Sequence, residues 1–218
     1  MKYIYAILFI ALFFSCKSEK KQDAVTGATN TYNDSLIYPE EQHFKSLRQV
    51  TFGGDNAEAY WSFDDKQIIF QSNNKGWGLE CDQMFLMNAD DAFYDSIPPM
   101  VSTGLGRTTC AYFLPDNKHF VYGSTNLGGY ECPPKPLRRD GKYVWPIYES
   151  YVIFVADLKG NITNQLTTEP GYDAEATVSP KGDKIVFTSM RTGDLELFTM
   201  NIDGSDVKQV TNELGYDG

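Results

Sequence analysis

The amino-acid sequence predicts an all-β fold built from a repeated unit of four short antiparallel strands. The aromatic content is high, with 14 Tyr, 14 Phe and 3 Trp, while 18 Gly and 10 Pro supply turns. Short motifs also recur, and Gln165–Asp173 reappears as Gln209–Asp217, displaced by 44 residues. Four strands in a unit of this length are typical of a β-propeller blade, whereas a β-solenoid would need shorter coils of parallel strands.

The composition excludes several classes of protein. The chain has 218 residues, with 29 acidic against 19 basic side chains and a net charge of −10, so we expect no nucleic-acid partner. A hydrophobic fraction of 42% with 22% charged residues excludes a wholly disordered chain. Four cysteines are too few for a small disulfide scaffold.

The N-terminus is typical of an export signal. Lys2 precedes the apolar run 3–14, which is too short to span a bilayer, and Ser15-Cys16 follows it. A small residue before a cysteine at this point resembles a bacterial lipoprotein signal, which implies that Cys16 is lipidated and becomes the mature N-terminus. The alternative is an ordinary signal peptide with an incidental cysteine. We therefore expect a signal peptide over 1–15, a tether and lead-in over 16–46, and a propeller over 47–218.

The strands of the repeat follow from turn residues and apolar alternation. Three copies align at Asn56, Thr108 and Asp173, with offsets of 52 and 65 residues, so the unit tolerates insertions. The strands expected in the first copy are Ala57–Ser62, Gln67–Ser72 and Met84–Met87. The last strands expected in the third copy are Leu195–Met200 and Lys208–Thr211. The expected blades are 47–99, 100–163 and 164–206, with the start of the next at 207–218.

The third copy carries the most specific motif. Ser179-Pro-Lys-Gly-Asp-Lys-Ile-Val-Phe187, followed by Leu197-Phe-Thr-Met-Asn-Ile-Asp-Gly204, resembles the TolB-like propeller repeats. The resemblance covers about residues 47 to 218 and implies a ring of six or more blades. We therefore expect about three blades of a partial ring, either as the N-terminal part of a longer protein or completed by another chain.

The other two copies depart from this motif. The first has Phe63 and Asp65 in place of Pro and Gly. The second has Leu114 and Asn117 in place of Ser and Gly, which predicts a distorted turn in that copy.

Polar residues occupy equivalent positions in the first strands of the copies. Because the first strand of a propeller blade is innermost, we expect Glu58 and Glu175 to face the central channel, where they could bind a cation or a basic peptide. The middle copy has Cys110 at this position, which breaks the ring of acids, so no metal site is predicted. The alternative is that these acids bond backbone amides and hold the blades together. The expected channel-lining residues are Asn56, Glu58, Arg107, Asp173 and Glu175.

Two cysteines lie in matching connections. Cys81 and Cys132 each follow the second strand of a blade, within Gly-Leu-Glu-Cys and Gly-Tyr-Glu-Cys. Equivalent positions in adjacent blades are often too far apart for a disulfide, but the insertion after Cys132 could close the gap in an oxidising compartment. We favour a Cys81–Cys132 bridge, which leaves Cys110 as a buried free thiol.

The insertion 130–148 is the most unusual segment. It concentrates prolines, four basic residues and a tryptophan in an acidic chain, and long loops on rigid scaffolds commonly carry binding residues. The alternative is a loop that only caps the propeller edge. The expected partner-binding residues are Lys135, Arg138, Arg139, Lys142 and Trp145.

Catalytic motifs are absent from the sequence. The histidines, His43 and His119, lie in no motif, and there is no Gly-x-Ser-x-Gly or His-Glu-x-x-His. We expect a non-catalytic chain without a cofactor: an exported, lipid-anchored binding or scaffolding module with an envelope protein or peptide as partner, on the periplasmic or outer-membrane face of a Gram-negative cell. One alternative is the N-terminal propeller of a prolyl-oligopeptidase-like peptidase whose catalytic domain lies beyond residue 218. Another is a carbohydrate or peptide sensor that binds its ligand in the channel.

Overall fold

Eleven strands form three antiparallel sheets in the computed structural model, which describes residues 36–93, 96–135, 137–142 and 144–218. The predicted signal peptide and the Cys16 lipidation site lie outside the described residues. The strands are β1 (Asp55–Trp61), β2 (Gln67–Asn73), β3 (Gln83–Asn88), β4 (Thr108–Phe113), β5 (His119–Ser124), β6 (Val152–Asp157), β7 (Ile162–Gln165), β8 (Asp173–Val178), β9 (Lys184–Ser189), β10 (Glu196–Asn201) and β11 (Lys208–Gln209). A 3-10 turn, Lys75–Trp77, follows β2.

The sheets have the strand order of propeller blades. Their orders are β1-β2-β3, β4-β5-β6-β7 and β8-β9-β10-β11. Each sheet therefore consists of one continuous segment of the chain, whose first strand is the innermost and whose last strand is the outermost. The innermost strands are neighbours, because β4 contacts both β1 and β8. The prediction of an all-β fold made of three propeller blades is therefore confirmed.

Two details of the outer strands differ from the sequence prediction. Lys208–Gln209, which the predicted boundaries assign to the start of the next blade, pairs with β10 as the outermost strand of the third sheet. In the first sheet the fourth strand is reduced to residues 99–101, where Val101 donates to the Met84 carbonyl at 2.8 Å and Leu86 donates to the Pro99 carbonyl at 3.0 Å. A Pro at position 99 has no N–H to donate, which restricts pairing at this edge.

The hairpin turns after the innermost strands share one geometry, and the predicted distortion in the second copy is wrong. A backbone hydrogen bond of 2.8–3.0 Å closes each turn, and the residue that donates it has a positive φ: 56° at Asp65, 52° at Asn117 and 73° at Gly182. Asn and Asp tolerate the left-handed conformation better than other side chains do, so they substitute for Gly without altering the turn.

The core consists of apolar layers between adjacent sheets. Between the first and second sheets, Ile69 and Met84 pack with Phe113 and Phe154. A second layer joins the second and third sheets and contains Val121, Ile153, Val155, Ala176, Phe187 and Phe198. The strands β4 and β8 alternate buried and half-buried residues in the same order, as expected for a strand with one face against each neighbouring blade. This packing fixes the innermost strands side by side around the channel.

Candidate ligand-binding site

Each innermost strand carries a β-bulge at the same position of the repeat. The pairing register shifts between Ala57 and Tyr60 in β1, and at the equivalent points of β4 and β8. The bulged residues are Glu58, Cys110 and Glu175, and their φ angles are 50°, 46° and 58°. A left-handed φ is uncommon for such residues, and bulges of this kind re-aim a side chain. All three side chains line one cavity.

The cavity has a volume of about 810 Å³, and residues of the innermost strands β1, β4 and β8 contribute to its wall. Its wall combines carboxylates, a buried ion pair, aromatic rings and part of the insertion loop. Its charged and thiol residues are Asp55, Glu58, Asp82, Arg107, Cys110, Lys135, Arg138 and Glu175. Its aromatic residues are Tyr60, Trp145, Tyr148, Tyr151, Tyr172 and Tyr216. The volume falls within the range that small ligands or a few peptide residues occupy in proteins.

Tyrosine hydroxyls hold both channel carboxylates. The Tyr60 hydroxyl donates to Glu58 Oε2 at 2.7 Å, and the Tyr216 hydroxyl donates to Glu175 Oε2 at 2.9 Å. Glu175 also accepts from Thr188 Oγ1 at 2.9 Å. Burial, together with the hydrogen bond to Glu175, raises the pKa of Tyr216 to about 12, and burial together with the hydrogen bond to Glu58 raises the pKa of Tyr60. Both tyrosines therefore remain neutral donors, and both carboxylates remain available as acceptors in the cavity wall.

Cys110 is a protonated thiol in the wall between the two carboxylates. Burial raises its pKa to about 12, and the charges of Glu58 and Glu175 act in the same direction. Its Sγ lies 3.2 Å from Thr109 Oγ1, and its backbone N–H donates to Gln71 Oε1 at 3.3 Å. A thiol held in this form is a poor nucleophile, because the thiolate is the reactive species.

Arg107 lines the cavity as one half of an ion pair. Its guanidinium donates to Asp82 Oδ2 at 2.6 Å, and the two side chains are only 18% and 13% exposed. The pair is largely neutralised, so the net charge of the inner wall comes from Asp55, Glu58 and Glu175.

Two of the predicted channel-lining residues lie elsewhere. Asp173 is buried and accepts two hydrogen bonds from Arg191, at 3.0 and 3.1 Å, and the Arg191 guanidinium lies over the rings of Phe187 and Phe198. The Asn56 amide donates to the Gly53 carbonyl at 3.1 Å. Neither lines the cavity. Simple strand alternation would place each of them on the same side of its strand as the glutamate two residues later, Glu58 or Glu175. The bulge breaks this alternation, so only the glutamates line the cavity.

The insertion loop is fixed at several points. Cys81 and Cys132 form a disulfide with their Cα atoms 5.8 Å apart, which joins the base of the loop to the first blade. The Tyr148 hydroxyl donates to the Pro134 carbonyl at 2.7 Å, and the Trp145 side chain hydrogen-bonds the Tyr172 side chain. The loop therefore lies against the cavity and does not only cap the outer edge of the blade.

The loop divides its predicted binding residues between the cavity and an exposed tip. Lys135, Arg138 and Trp145 line the cavity. Arg139 and Lys142 face each other across a tight turn at the tip, where the Lys142 N–H donates to the Arg139 carbonyl at 2.9 Å. The two central residues of this turn, Asp140 and Gly141, have φ angles of 53° and 73°, as type I′ turns require.

Several lining residues were not predicted from the sequence. Tyr172 and Tyr216 are the central residues of the two Gly-Tyr-Asp copies, so the repeat itself contained the signal that marks them. Tyr60 and Tyr151 carry no such signal. Within the described part of the chain, no group of three or more His, Cys, Asp or Glu residues is arranged to hold a metal ion. The same residues contain no helix with the length and apolarity needed to cross a membrane.

Known proteins resemble this chain mainly in fold, and no protein-family model matches it. An uncharacterized protein of Agrobacterium fabrum is 24% identical over 170 residues, which cover 70% of this chain and 57% of that protein. A solved protein assigned as a TolB from Agrobacterium tumefaciens superposes with a TM-score of 0.57 and 20% identity, covering 79% of this chain and 53% of the other. TolB from Acinetobacter baumannii gives a TM-score of 0.50 with 19% identity over 75% of this chain and 34% of that one. The chain thus spans little more than half the length of the curated relative. It has the fold of a TolB-like β-propeller.

Proposed function

We propose that the chain is the binding module of an exported, lipid-anchored β-propeller protein of the cell envelope, and that its partner is a protein or peptide held at the channel mouth. One observation carries this proposal: the bulged residues of the innermost strands and the insertion loop converge on one cavity of about 810 Å³. Long loops on a rigid scaffold are common binding elements, and here the loop and the scaffold contribute to the same wall.

The side chains around the cavity suit a protein partner. Trp, Tyr and Arg are the residue types that most often dominate binding energy at protein interfaces, and this cavity has Trp145, several tyrosines and Arg138. The Cys81–Cys132 disulfide and the Tyr148–Pro134 hydrogen bond hold the loop before any partner arrives. A preorganised loop loses less conformational entropy on binding, which favours affinity.

The same geometry supports a non-catalytic role for this part of the chain. His43 is exposed in the lead-in before β1. His119 contacts Asp116 through Nδ1 at 2.6 Å in the hairpin between β4 and β5. Neither histidine lines the cavity, and the Cys110 thiol there is kept protonated. The cavity therefore presents groups that bind a ligand rather than an activated nucleophile and its base.

Membrane attachment through Cys16 is tested separately from partner binding. In cells that express the full-length protein, the Cys16→Ser variant is expected to move from the membrane pellet to the soluble periplasmic fraction. Cys110→Ser is the matched control, since it removes a cysteine without touching the export signal. Equal membrane association of both variants would contradict lipid anchoring at Cys16.

Site-specific photo-crosslinking tests partner binding in intact cells. A photoreactive amino acid placed at Val144, in the cavity wall, is expected to give a discrete crosslinked protein, whereas the same residue at Lys159, in the turn after β6, is not. The purified crosslinked protein is then expected to bind the wild type and to bind Trp145→Ala about tenfold or more weakly.

Trp61→Ala provides the matched control for this substitution. Trp61 is 52% exposed and Trp145 is 50% exposed, but Trp61 lies outside the cavity. Equal crosslinking at Val144 and Lys159, or equal losses of affinity in the two tryptophan variants, would refute the proposal. Crosslinks to short peptides in place of a folded protein would favour a propeller that guards a peptidase domain.

A further inference from the structure

The insertion loop concentrates positive charge that the protein itself leaves unpaired. Residues 135–142 contain four basic side chains and one carboxylate in a chain with a net charge of −10. Lys135, Arg138, Arg139 and Lys142 are all exposed, and none forms an ion pair with any residue that the structure describes.

Among the described residues outside the loop, five basic side chains have a carboxylate partner, and those without one, such as Lys118, Lys159 and Lys181, stand singly in the sequence. Arg107 and Arg191 pair with Asp82 and Asp173 at 2.6 and 3.0 Å. At the starts of β9 and β11, the Nζ atoms of Lys184 and Lys208 lie 3.4 and 2.9 Å from the same aspartate, Asp206. Because the four cations of the loop are concentrated within residues 135–142, they form a surface of opposite charge to the net charge of the molecule.

The position of these cations restricts what they can bind. Lys135 and Arg138 line the cavity, into which a flat bilayer cannot reach. Further along the wall, Asp55, Glu58 and Glu175 would repel a ligand that is negative along its whole length, such as a polyphosphate or a nucleic acid. A polypeptide differs from these ligands because its charge changes from one residue to the next.

The loop also offers contacts for apolar side chains between the cations. Val144 and Trp145 line the cavity beside Arg138. At the tip, Leu137 is 91% exposed and precedes the two arginines. Alternating basic and apolar contacts fit an extended chain in which acidic and apolar side chains alternate.

We infer that the partner presents to this site an extended polypeptide segment whose acidic side chains lie against Lys135, Arg138, Arg139 and Lys142. This inference rests on the proposed function and specifies the chemistry of the partner. Charge complementarity of this kind accelerates association and excludes partners of the wrong sign. Binding is accordingly expected to weaken as salt increases.

The test uses the full-length protein with Cys16→Ser, so that it is handled without lipid. The probe is a short fluorescein-labelled peptide in which Glu alternates with Leu and Gly, and binding is followed by fluorescence polarisation at low and at physiological salt. A second peptide has Lys in place of each Glu. Vesicles containing phosphatidylglycerol test the bilayer, and inorganic polyphosphate tests a uniform polyanion.

Two charge-reversal variants distinguish the effect of the loop on peptide binding from the effect of the net charge of the protein. Arg138→Glu/Arg139→Glu alters the loop, and Lys159→Glu/Lys181→Glu makes the same change in net charge at exposed turns outside the cavity. We expect the Glu peptide to bind the wild type and the turn variant alike, and to bind the loop variant about tenfold or more weakly. The Lys peptide is expected not to bind.

Several outcomes would overturn the inference. They are no binding of the Glu peptide at low salt, equal losses in the two variants, or stronger binding of vesicles or polyphosphate than of the peptide. The failure of the proposed function is distinguishable from these outcomes. If photo-crosslinking at Val144 captures a protein whose affinity does not depend on Arg138 and Arg139, the proposed binding function is supported and the inference of an acidic partner segment is refuted.

Discussion

The buried ion pair between Asp173 and Arg191 gives the sharpest stability prediction. Asp173, at the start of β8, is 3% exposed in its side chain and accepts two hydrogen bonds from Arg191 Nη2. The proposed substitution is Asp173→Asn, which keeps the size of the side chain and removes its charge. The Arg191 guanidinium would then stay in place over Phe187 and Phe198 without its counterion.

The magnitude follows from how deeply each partner is buried. Removal of one partner of a fully buried ion pair costs about 3–5 kcal/mol, because the other charge is left unpaired. Arg191 is 17% exposed and keeps a 2.8 Å hydrogen bond to Ser189 Oγ, so solvent and Ser189 offset part of the loss. We therefore expect a loss of about 2–3 kcal/mol, which corresponds to a decrease in Tm of roughly 5–10 °C for a chain of this size.

Urea denaturation and thermal melting of the protein measure this loss. Asp90→Asn is the matched control, since Asp90 is exposed and the same change there is expected to alter stability by less than about 0.5 kcal/mol. Arg191→Met in the Asp173→Asn background removes the unpaired charge and keeps an apolar stem over the phenyl rings. The double variant is expected to be more stable than the sum of the single losses predicts, by about 1–2 kcal/mol. If Asp173→Asn and Asp90→Asn have the same midpoint, the ion pair does not stabilise the third blade and the reasoning is wrong.

Three further predictions concern the disulfide, the free thiol and a turn. Reduction of the Cys81–Cys132 disulfide, or Cys132→Ser, is expected to destabilise the protein by up to about 4 kcal/mol, because the bond closes a loop with a sequence separation of 51. Free thiols at both Cys81 and Cys132, located by peptide mass analysis of the native protein, would contradict the pairing. Cys110 is expected to resist alkylation in the native protein up to about pH 11 and to react readily after unfolding, since burial raises its pKa to about 12. The pKa of Cys110 is higher in the folded than in the unfolded protein, so the neutral thiol stabilises the fold below about pH 9, and this stabilisation is lost as the pH rises towards 12. If the stability of the wild type and of a Cys110→Ala variant falls in parallel at alkaline pH, the thiol makes no such contribution. Gly182→Ala is expected to lower the free energy of unfolding more than Gly193→Ala does. Both glycines have a positive φ, but only at Gly182 would an added Cβ collide with Pro115 Cγ. Equal losses, measured by urea denaturation, would show that the turn moves away from Pro115.

The repeat made the fold predictable from the sequence. Residues at one position of a propeller repeat experience nearly the same surroundings, so aligned motifs reveal equivalent structure without knowledge of any contact. The equivalence of Glu58, Cys110 and Glu175 followed from this alignment alone, and the structure gives all three the same bulge. The predicted distortion of the second turn failed because the alignment treated Asn117 as a departure from Gly, although both residues adopt a left-handed φ.

The site was only partly predictable, for reasons of geometry. Strand alternation places Asp173 and Glu175 on the same side, but the bulge between Ala174 and Thr177 breaks the alternation. Asp173 consequently pairs with Arg191 inside the blade, while Glu175 lines the cavity. No periodicity in the sequence marks a bulge, and Arg191 lies in the connection between β9 and β10, outside the strand that carries Asp173.

The sequence by itself determined the class of fold and marked residues 130–148 as an unusual insertion, because local turn chemistry and a repeated pattern of apolar residues are visible without any tertiary contact. Only the tertiary structure decided that the loop lines the cavity, that its four cations have no ion-pair partner among the described residues, and that Glu58 and Glu175 share this cavity with Trp145. These features depend on contacts between residues far apart in the chain, such as Cys81 with Cys132 and Tyr216 with Glu175. Their geometry is fixed by how neighbouring blades pack, and the sequence of one strand does not specify which residues of the next blade will contact it.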